Sequence, residues 1–193
     1  MDKKYEFTGE TKDWNGHTIR RIRAVKTVAN VATGELGGWI EKEENLSQDG
    51  DAWVSDNAKA SGDAEVSGNA WVSGNAKVSD NAWVSGDAKV SGDAKVSGNA
   101  WVFGDAEVSG DAEVSDNAWV SGDADYVVFK NCWSSYRWFT YTRSNKMWKV
   151  GCFYGTGEEL IKKAYADSEI SGRCYEAIVK AVETIEKAKG EMK

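Results

Sequence analysis

Thirteen consecutive hexads, residues 49–126, obey one rule: Ser, Gly or Asp, Asn or Asp, Ala, a variable residue, Val. Only Asp49 and Phe103 replace the Ser, and only Ala60 and Tyr126 replace the Val. A fixed short period outranks every other signal of fold, because each repeat must bury its apolar side against its neighbours. Ala and Val stand two apart, so in an extended strand both face the same way, and that side is the interior. The Gly/Asp and Asn/Asp pair tolerates positive φ and turns the corner. Strands this short predict a coil with three flat sides, three hexads and 18 residues to the turn. Residues 49–120 are twelve hexads, hence four turns, and at ~4.8 Å between rungs the coil is roughly 20 Å tall.

The repeat resembles that of the hexapeptide-repeat family, in which an aliphatic residue is followed four positions on by a small one. Val66 before Ala70 and Val90 before Ala94 fit that pattern. The resemblance implies a left-handed parallel β-helix; the period itself does not set the hand, and the general rule for crossovers is right-handed. It implies no particular activity, since one fold serves many functions. The expected fold class is therefore mainly β. A β-rich cap is expected over residues 1–48, the hexapeptide coil of about four turns over 49–125, and an α+β module over 126–193.

In the cap, Tyr5–Thr8 and Thr18–Val25 alternate as strands, and Asn15-Gly16 marks a hairpin turn. Such a cap covers a coil edge that would otherwise template aggregation. In the tail, residues 126–129, 136–141 and 147–153 read as three strands, with a turn at Ser144-Asn145. Thr156 and Glu159 form a capping box for a helix to about Tyr165. A second helix is expected from about Gly172 to Lys189, capped by Ser171 and stopped by Gly190. Its apolar face would be Cys174, Ile178, Ala181, Val182 and Ile185. The stretches 5–11, 20–25, 34–40, 124–126 and 151–156 are similar to those of a group of small phage and prophage proteins that carry a hexapeptide coil between the same flanks. That resemblance implies a phage or prophage origin and no mechanism.

Net charge is −7 and the pI about 4.9, which argues against a broad basic surface for nucleic-acid phosphates. No 18-residue apolar run is present, so no membrane span is expected. The amino terminus lacks the apolar core of a signal peptide. Cys132, Cys152 and Cys174, an odd number outside the repeat, suit reduced thiols in the cytoplasm of a host bacterium.

The variable residue of each hexad points outward. Sorted by the 18-residue turn, one face carries Trp53, Trp71, Lys89 and Glu107; the next, Lys59, Lys77, Lys95 and Glu113; the third, Glu65, Trp83, Trp101 and Trp119. Phe103 replaces a corner Ser beside the third. Exposed apolar patches mark interaction sites, so Trp53, Trp71, Trp83, Trp101, Phe103 and Trp119 are the candidate oligomer or partner interface. Three readings compete: cover by the chain's own end modules, a homo-oligomer, or a foreign ligand, sugars and bases being held by stacking. The family implies a trimer, with Trp71 against Trp83 and Lys89 against Trp101 of a neighbour; a two-fold dimer through the third face fits equally.

His17 is the only histidine. Coil-family acyltransferases use a His at a coil edge, and its carbonic anhydrases use three His for zinc; His17 sits in the hairpin and suits an exposed turn. Zinc catalysis needs three protein ligands, and no phosphate loop, nucleophile elbow or paired-carboxylate motif appears. No catalysis, cofactor or metal is expected. Tyr136, Arg137, Trp138, Tyr141 and Arg143 are the candidate small-ligand residues, because Arg with aromatics suits phosphate and base recognition. The functional expectation is a non-catalytic binding protein that inhibits a bacterial defence component or sequesters a nucleotide signal. A self-associating structural protein and a divergent acyltransferase are the alternatives.

Overall fold

The computed structural model of the chain describes residues 3–191. It is mainly β, with a parallel β-helix followed by a module of strands and two helices. The chain divides into two units. The first runs to Tyr126 and takes in Thr142–Asn145; the second comprises Val127–Tyr141 and the residues from Lys146 onward.

The first unit opens with a hairpin of β1 (Tyr5–Trp14) and β2 (His17–Ala24). Trp14 lies opposite His17 across Asn15 and Gly16, whose φ values of 49° and 84° give the twist a two-residue hairpin needs. Strand β3 (Leu36–Ile40) pairs antiparallel with β2. Twelve two-residue strands follow, one per hexad, from β4 (Trp53–Val54) to β15 (Trp119–Val120). Each of the first nine pairs in parallel with the strand 18 residues on, as Trp71–Val72 with Lys89–Val90. Three faces result: β4-β7-β10-β13, β6-β9-β12-β15, and β5-β8-β11-β14. The last is extended by β3, β2 and β1 into one seven-stranded sheet. From Ala52 to Val120 the repeated Ala and Val side chains fill the interior and are fully buried, Val72, Val90 and Val108 forming one of the stacks.

The coil starts before the hexads do. Trp39–Ile40 pair in parallel with Lys59–Ala60, and Leu46 bridges Val66. A leading partial turn therefore lies inside the segment expected to be only a cap. It lacks the motif because parallel pairing needs extended backbone and an inward apolar residue, here Ile40 and Leu46, not a particular corner. The downward carbonyls of the lowest rungs are then covered one by one. Trp39 N–H donates to Ala58 O (3.0 Å), Ser47 N–H to Val66 O (2.9 Å), and Asn45 Nδ2 to Ala64 O (2.8 Å). On the remaining face the Lys4 ammonium donates to Ala52 O (2.8 Å). Lys4 is fully buried, and burial pushes its pKa down to about 8. At the upper rung Ser144 Oγ accepts from Trp119 N–H (2.8 Å), Asp125 Oδ2 from Ser121 N–H (2.8 Å), and Tyr126 Oη donates to Glu107 O (2.8 Å). Open edges of a parallel coil invite another chain; these side chains occupy them.

The second unit is a four-stranded sheet with two helices. Its order is β16 (Tyr126–Lys130), β17 (Trp138–Thr142), β18 (Met147–Val150), β19 (Phe153–Gly155). The stretch 147–153, expected as one strand, is two, because Gly151 (φ 58°) turns the chain and sets Val150 opposite Phe153. Helix α1 (Gly157–Asp167) begins at the expected capping box. Helix α2 (Glu169–Glu191) starts three residues earlier than expected. Its cap is Ser168, not Ser171: Ser168 Oγ accepts from Ser171 N–H (3.1 Å). Gly172 thus lies inside α2, where any Cβ would sit 2.2 Å from the Tyr165 ring of α1. The buried face is Tyr175, Ile178, Val179 and Val182, whereas Ala181 and Ile185 are exposed, and Gly190 does not stop the helix. The stripe is set by Phe139, whose ring meets Tyr175 edge-on at 4.6 Å.

Candidate functional site

The outward Trp residues fall into two unlike groups. Trp53 does not belong to the expected exposed interface: it is only 1% exposed. Tyr5 of β1 covers it edge-on at 6.5 Å, and Gly37 of β3 leaves the space its indole fills. Trp71, one rung higher, is half-buried and borders a shallow cleft with Asn30, Asp87 and Lys89. Lys89 itself holds Glu107 at 2.8 Å. The amino-terminal segment therefore covers the lower end of this face.

The third face is open. Trp83, Trp101 and Trp119 are 46%, 41% and 54% exposed. Each sits on a strand whose Ala and Val neighbours point inward, so the indole has no interior alternative. Trp83 and Trp101 stack at 5.2 Å with planes 9° apart, and Trp101 and Trp119 at 5.7 Å and 17°. The rings face one another along the coil, which uses their faces in contacts between rungs. With ~250 Å² for a whole Trp side chain, the ladder exposes roughly 350 Å², within the range of the patches that mark interaction sites on small proteins. Phe103 adds a notch of about 230 Å³ with Trp83, Ser85 and Trp101.

Both corners that flank this face carry carboxylates. The corner before the Trp strands carries a ladder of amides, Asn81 Nδ2 donating to Asn99 Oδ1 (3.1 Å) and Asn99 Nδ2 to Asn117 Oδ1 (3.2 Å), beside the exposed carboxylates of Asp80 and Asp116. The corner after them carries Asn69, Asp87 and Asp105, with Asn69 Nδ2 donating to Asp87 Oδ1 (2.9 Å). The neighbouring Lys face is cationic at its lower end. Burial, and then the charge of Lys77, lowers the pKa of Lys59, and burial followed by Lys59 lowers that of Lys12, which lies 3.6 Å over the Trp39 ring.

The five candidate small-ligand residues do not converge. Tyr136 and Arg137 are exposed at the start of the β17 segment, and Trp138 lies under the Lys130 ammonium at 4.8 Å. Tyr141 is in the core of the second unit, its ring 5.1 Å from Trp148. Arg143 belongs to the first unit, where its N–H donates to Asp125 O (2.8 Å); against the effect of burial, hydrogen bonds from Ser121 and Gly122, and after them the charge of Arg143, hold the Asp125 carboxyl below the usual range. The second unit does contain a cleft of about 630 Å³ that the sequence did not indicate, bordered by Tyr141, Trp148, Thr156, Glu158, Val182 and Glu186. The capping box at the start of α1 is closed there, with Glu159 Oε2 accepting from Thr156 N–H (2.8 Å) and Thr156 Oγ1 from Glu159 N–H (3.3 Å). Its lining also mixes Lys146 and Lys187 with three Glu, so it selects no sign of charge.

His17 Nδ1 lies 2.9 Å from Glu41 Oε2, and that hydrogen bond holds the Glu41 carboxyl below its ordinary pKa. Among the described residues no three His, Cys, Asp or Glu side chains are grouped so as to hold a metal ion, and no helix is long and apolar enough to cross a membrane.

Period, pairing and corner geometry together define a hexapeptide-repeat β-helix protein. No protein-family model matches the chain. Over 50 residues it is 42% identical to an Escherichia coli (strain K12) protein named as an uncharacterized acetyltransferase, YdcK. The match covers 25% of this chain and spans only 15% of that relative's length.

Proposed function

We propose that this is a non-catalytic binding protein and that the Trp83–Trp101–Trp119 strip is its binding surface. The observation that supports it is the contrast between the Trp faces: Tyr5 buries Trp53, while three indoles one face away stay about half exposed. Leaving that much apolar surface in water is unfavourable by ~25 cal/mol per Å², so a partner that covers it gains that energy. The flanking motifs favour a phage or prophage origin, with the protein acting in the host bacterial cytoplasm as an inhibitor of a defence component. Sequestering of a nucleotide signal gains no support from the dispersed Tyr136, Arg137, Trp138, Tyr141 and Arg143. The test is native mass spectrometry of the tagged protein drawn gently from bacterial cells, as wild type and as Trp101→Ser. A bound protein lost in the variant is the expected result. Equal binding by both would sink the assignment of the strip.

The name of the Escherichia coli relative favours a second reading, a divergent hexapeptide acyltransferase. Its general base would have to be His17, now held by Glu41. Calorimetric titration with acetyl coenzyme A decides it. Binding together with acyl transfer that His17→Ala abolishes would replace the first reading.

A further inference from the structure

We infer that the seven-stranded sheet carries an anion site, built by Lys12, Arg21 and Lys59 around Trp39, and that its ligand is a phosphoryl group. The site is separate from the Trp strip. It lies where β1, β2 and β3 join β5 and β8, so neither reading falls with the other. Three observations carry it.

The strand pairing sets these residues in a row. Arg21 stands opposite Trp39, Trp39 opposite Lys59, and Lys59 opposite Lys77. Lys12 reaches the same ring from β1, its ammonium 3.6 Å from the centroid, and the Arg21 guanidinium lies at 5.2 Å. An aromatic ring attracts a cation through its quadrupole and carries no net charge. Trp39 therefore holds both cationic heads in place without cancelling either.

No carboxylate cancels them. Among the described residues Lys12, Arg21, Lys59 and Lys77 form no ion pair. The acidic groups of this sheet are engaged elsewhere: Glu41 accepts from His17 and from Gly62 N–H (2.7 Å), Asp13 accepts from Thr18 Oγ1 (2.9 Å), and Glu113 pairs with Lys95. Burial and then neighbouring cations lower the pKa of Lys12 and of Lys59, and no carboxylate opposes either shift. Like charges gathered without a counter-ion disfavour one another, and a bound anion relieves that.

The third observation is a set of missing hydrogen bonds. Three buried side-chain nitrogens among the described residues lack an acceptor, and two of them, Arg21 Nε and Trp39 Nε1, belong to this cluster. Trp39 is only 8% exposed. A buried donor without an acceptor is costly, and an oxyanion supplies acceptors. A phosphate monoester brings nearly two negative charges and three acceptor oxygens, which a guanidinium engages with several N–H groups at once. A carboxylate brings one charge and two oxygens. The net charge of −7 opposes a long polyanion. The ligand is thus a single phosphoryl group, free as inorganic phosphate or carried by a small molecule.

The experiment is a heteronuclear NMR titration of the full chain, following the indole N–H signals, with inorganic phosphate, glycerol phosphate and acetate at equal ionic strength. The expected result is saturable movement of the Trp39 signal, assigned with Trp39→Phe, on adding either phosphate and not on adding acetate. Arg21→Met and Lys59→Met should each weaken binding roughly tenfold or more, the loss of a hydrogen bond to a charged group. Lys89→Met, on another face and paired with Glu107, should leave it nearly unchanged. Lys59 is an outward residue of the coil, so its replacement keeps the fold, and circular dichroism checks both variants. Tighter binding of glycerol phosphate assigns a monoester as the source, and tighter binding of inorganic phosphate assigns the free ion. No saturable movement with either, an equal response to acetate, or unchanged affinity in the two variants would overturn the inference.

Discussion

A pair of corner substitutions tests the physics of the repeat. Gly98 and Gly110 occupy equivalent corners with φ of 67° and 65°. A Cβ on Gly98 would meet Asp116 N at 2.7 Å and Asp116 Cα at 2.8 Å in the rung above, whereas one on Gly110 would meet nothing within 4 Å. Gly110→Ala therefore carries only the left-handed backbone cost, about 1–2 kcal/mol. Gly98→Ala carries the same cost and must also push backbone aside, for which overpacking suggests a further ~1–3 kcal/mol. Its total is roughly 2–5 kcal/mol. Guanidinium unfolding followed by Trp fluorescence reads this out, because seven of the ten Trp lie in the first unit. Gly92→Asp supplies an internal control. Asp56 and Asp80 already adopt φ of 54° and 61°, and each Oδ2 accepts the N–H of the Gly one rung above, at 3.0 and 3.1 Å. Gly92→Asp should gain the same bond to Gly110 and cost less than Gly92→Ala. Equal losses for Gly98→Ala and Gly110→Ala would refute the claim that the closeness of rungs, and not φ alone, selects glycine.

Val90→Ala, in a fully buried stack between Val72 and Val108, should lower coil stability by roughly 2–3 kcal/mol in the same assay, from lost burial plus the cavity left behind. Phe139→Ala should lower the stability of the second unit by about 3–5 kcal/mol and leave coil unfolding unchanged, seen as a split between helix and coil signals in circular dichroism. Lys4 makes a prediction in pH. Folded Lys4 loses its proton near 8 while the unfolded chain keeps it to 10.5, so the unfolded state binds more protons between those values and stability rises with pH there. The shift bounds the gain at about 3 kcal/mol, and solvent screening brings it to about 2 kcal/mol. Denaturation at pH 7.5 and 10.5 should show that gain in wild type and not in Lys4→Met. Glu41 acts at the other end of the scale. Its folded pKa is depressed, chiefly by the His17 hydrogen bond, so the stability it contributes is lost as pH falls below 4.5, and His17→Ala should flatten that part of an acid titration.

What could be read from sequence was whatever repeats. A period of six with alternating inward Ala and Val dictates two-residue strands, a three-sided coil and an 18-residue rung, because each contact in the coil is with a copy of the same motif. The three columns of outward residues follow by counting, and they reappear in the strand pairing of Trp83, Trp101 and Trp119. The Asn and Asp corner ladders were equally present in the letters, although their hydrogen bonds from rung to rung needed the coil in space.

What only the tertiary structure decided lies where the repeat ends. Burial of Trp53 depends on Tyr5, and the plug on Ala52 O depends on Lys4, pairs 48 residues apart with no period to announce them. The leading partial turn at Trp39–Leu46 carries no hexad, and its register comes from the rung it rests on. In the second unit the apolar face of α2 is chosen by Phe139, and its start by the hydroxyl of Ser168. A repeat encodes its partner in its own sequence, whereas an end must find a partner elsewhere in the chain. For that reason the architecture is written locally, while which Trp face remains open is settled only when the amino-terminal strands close over the other.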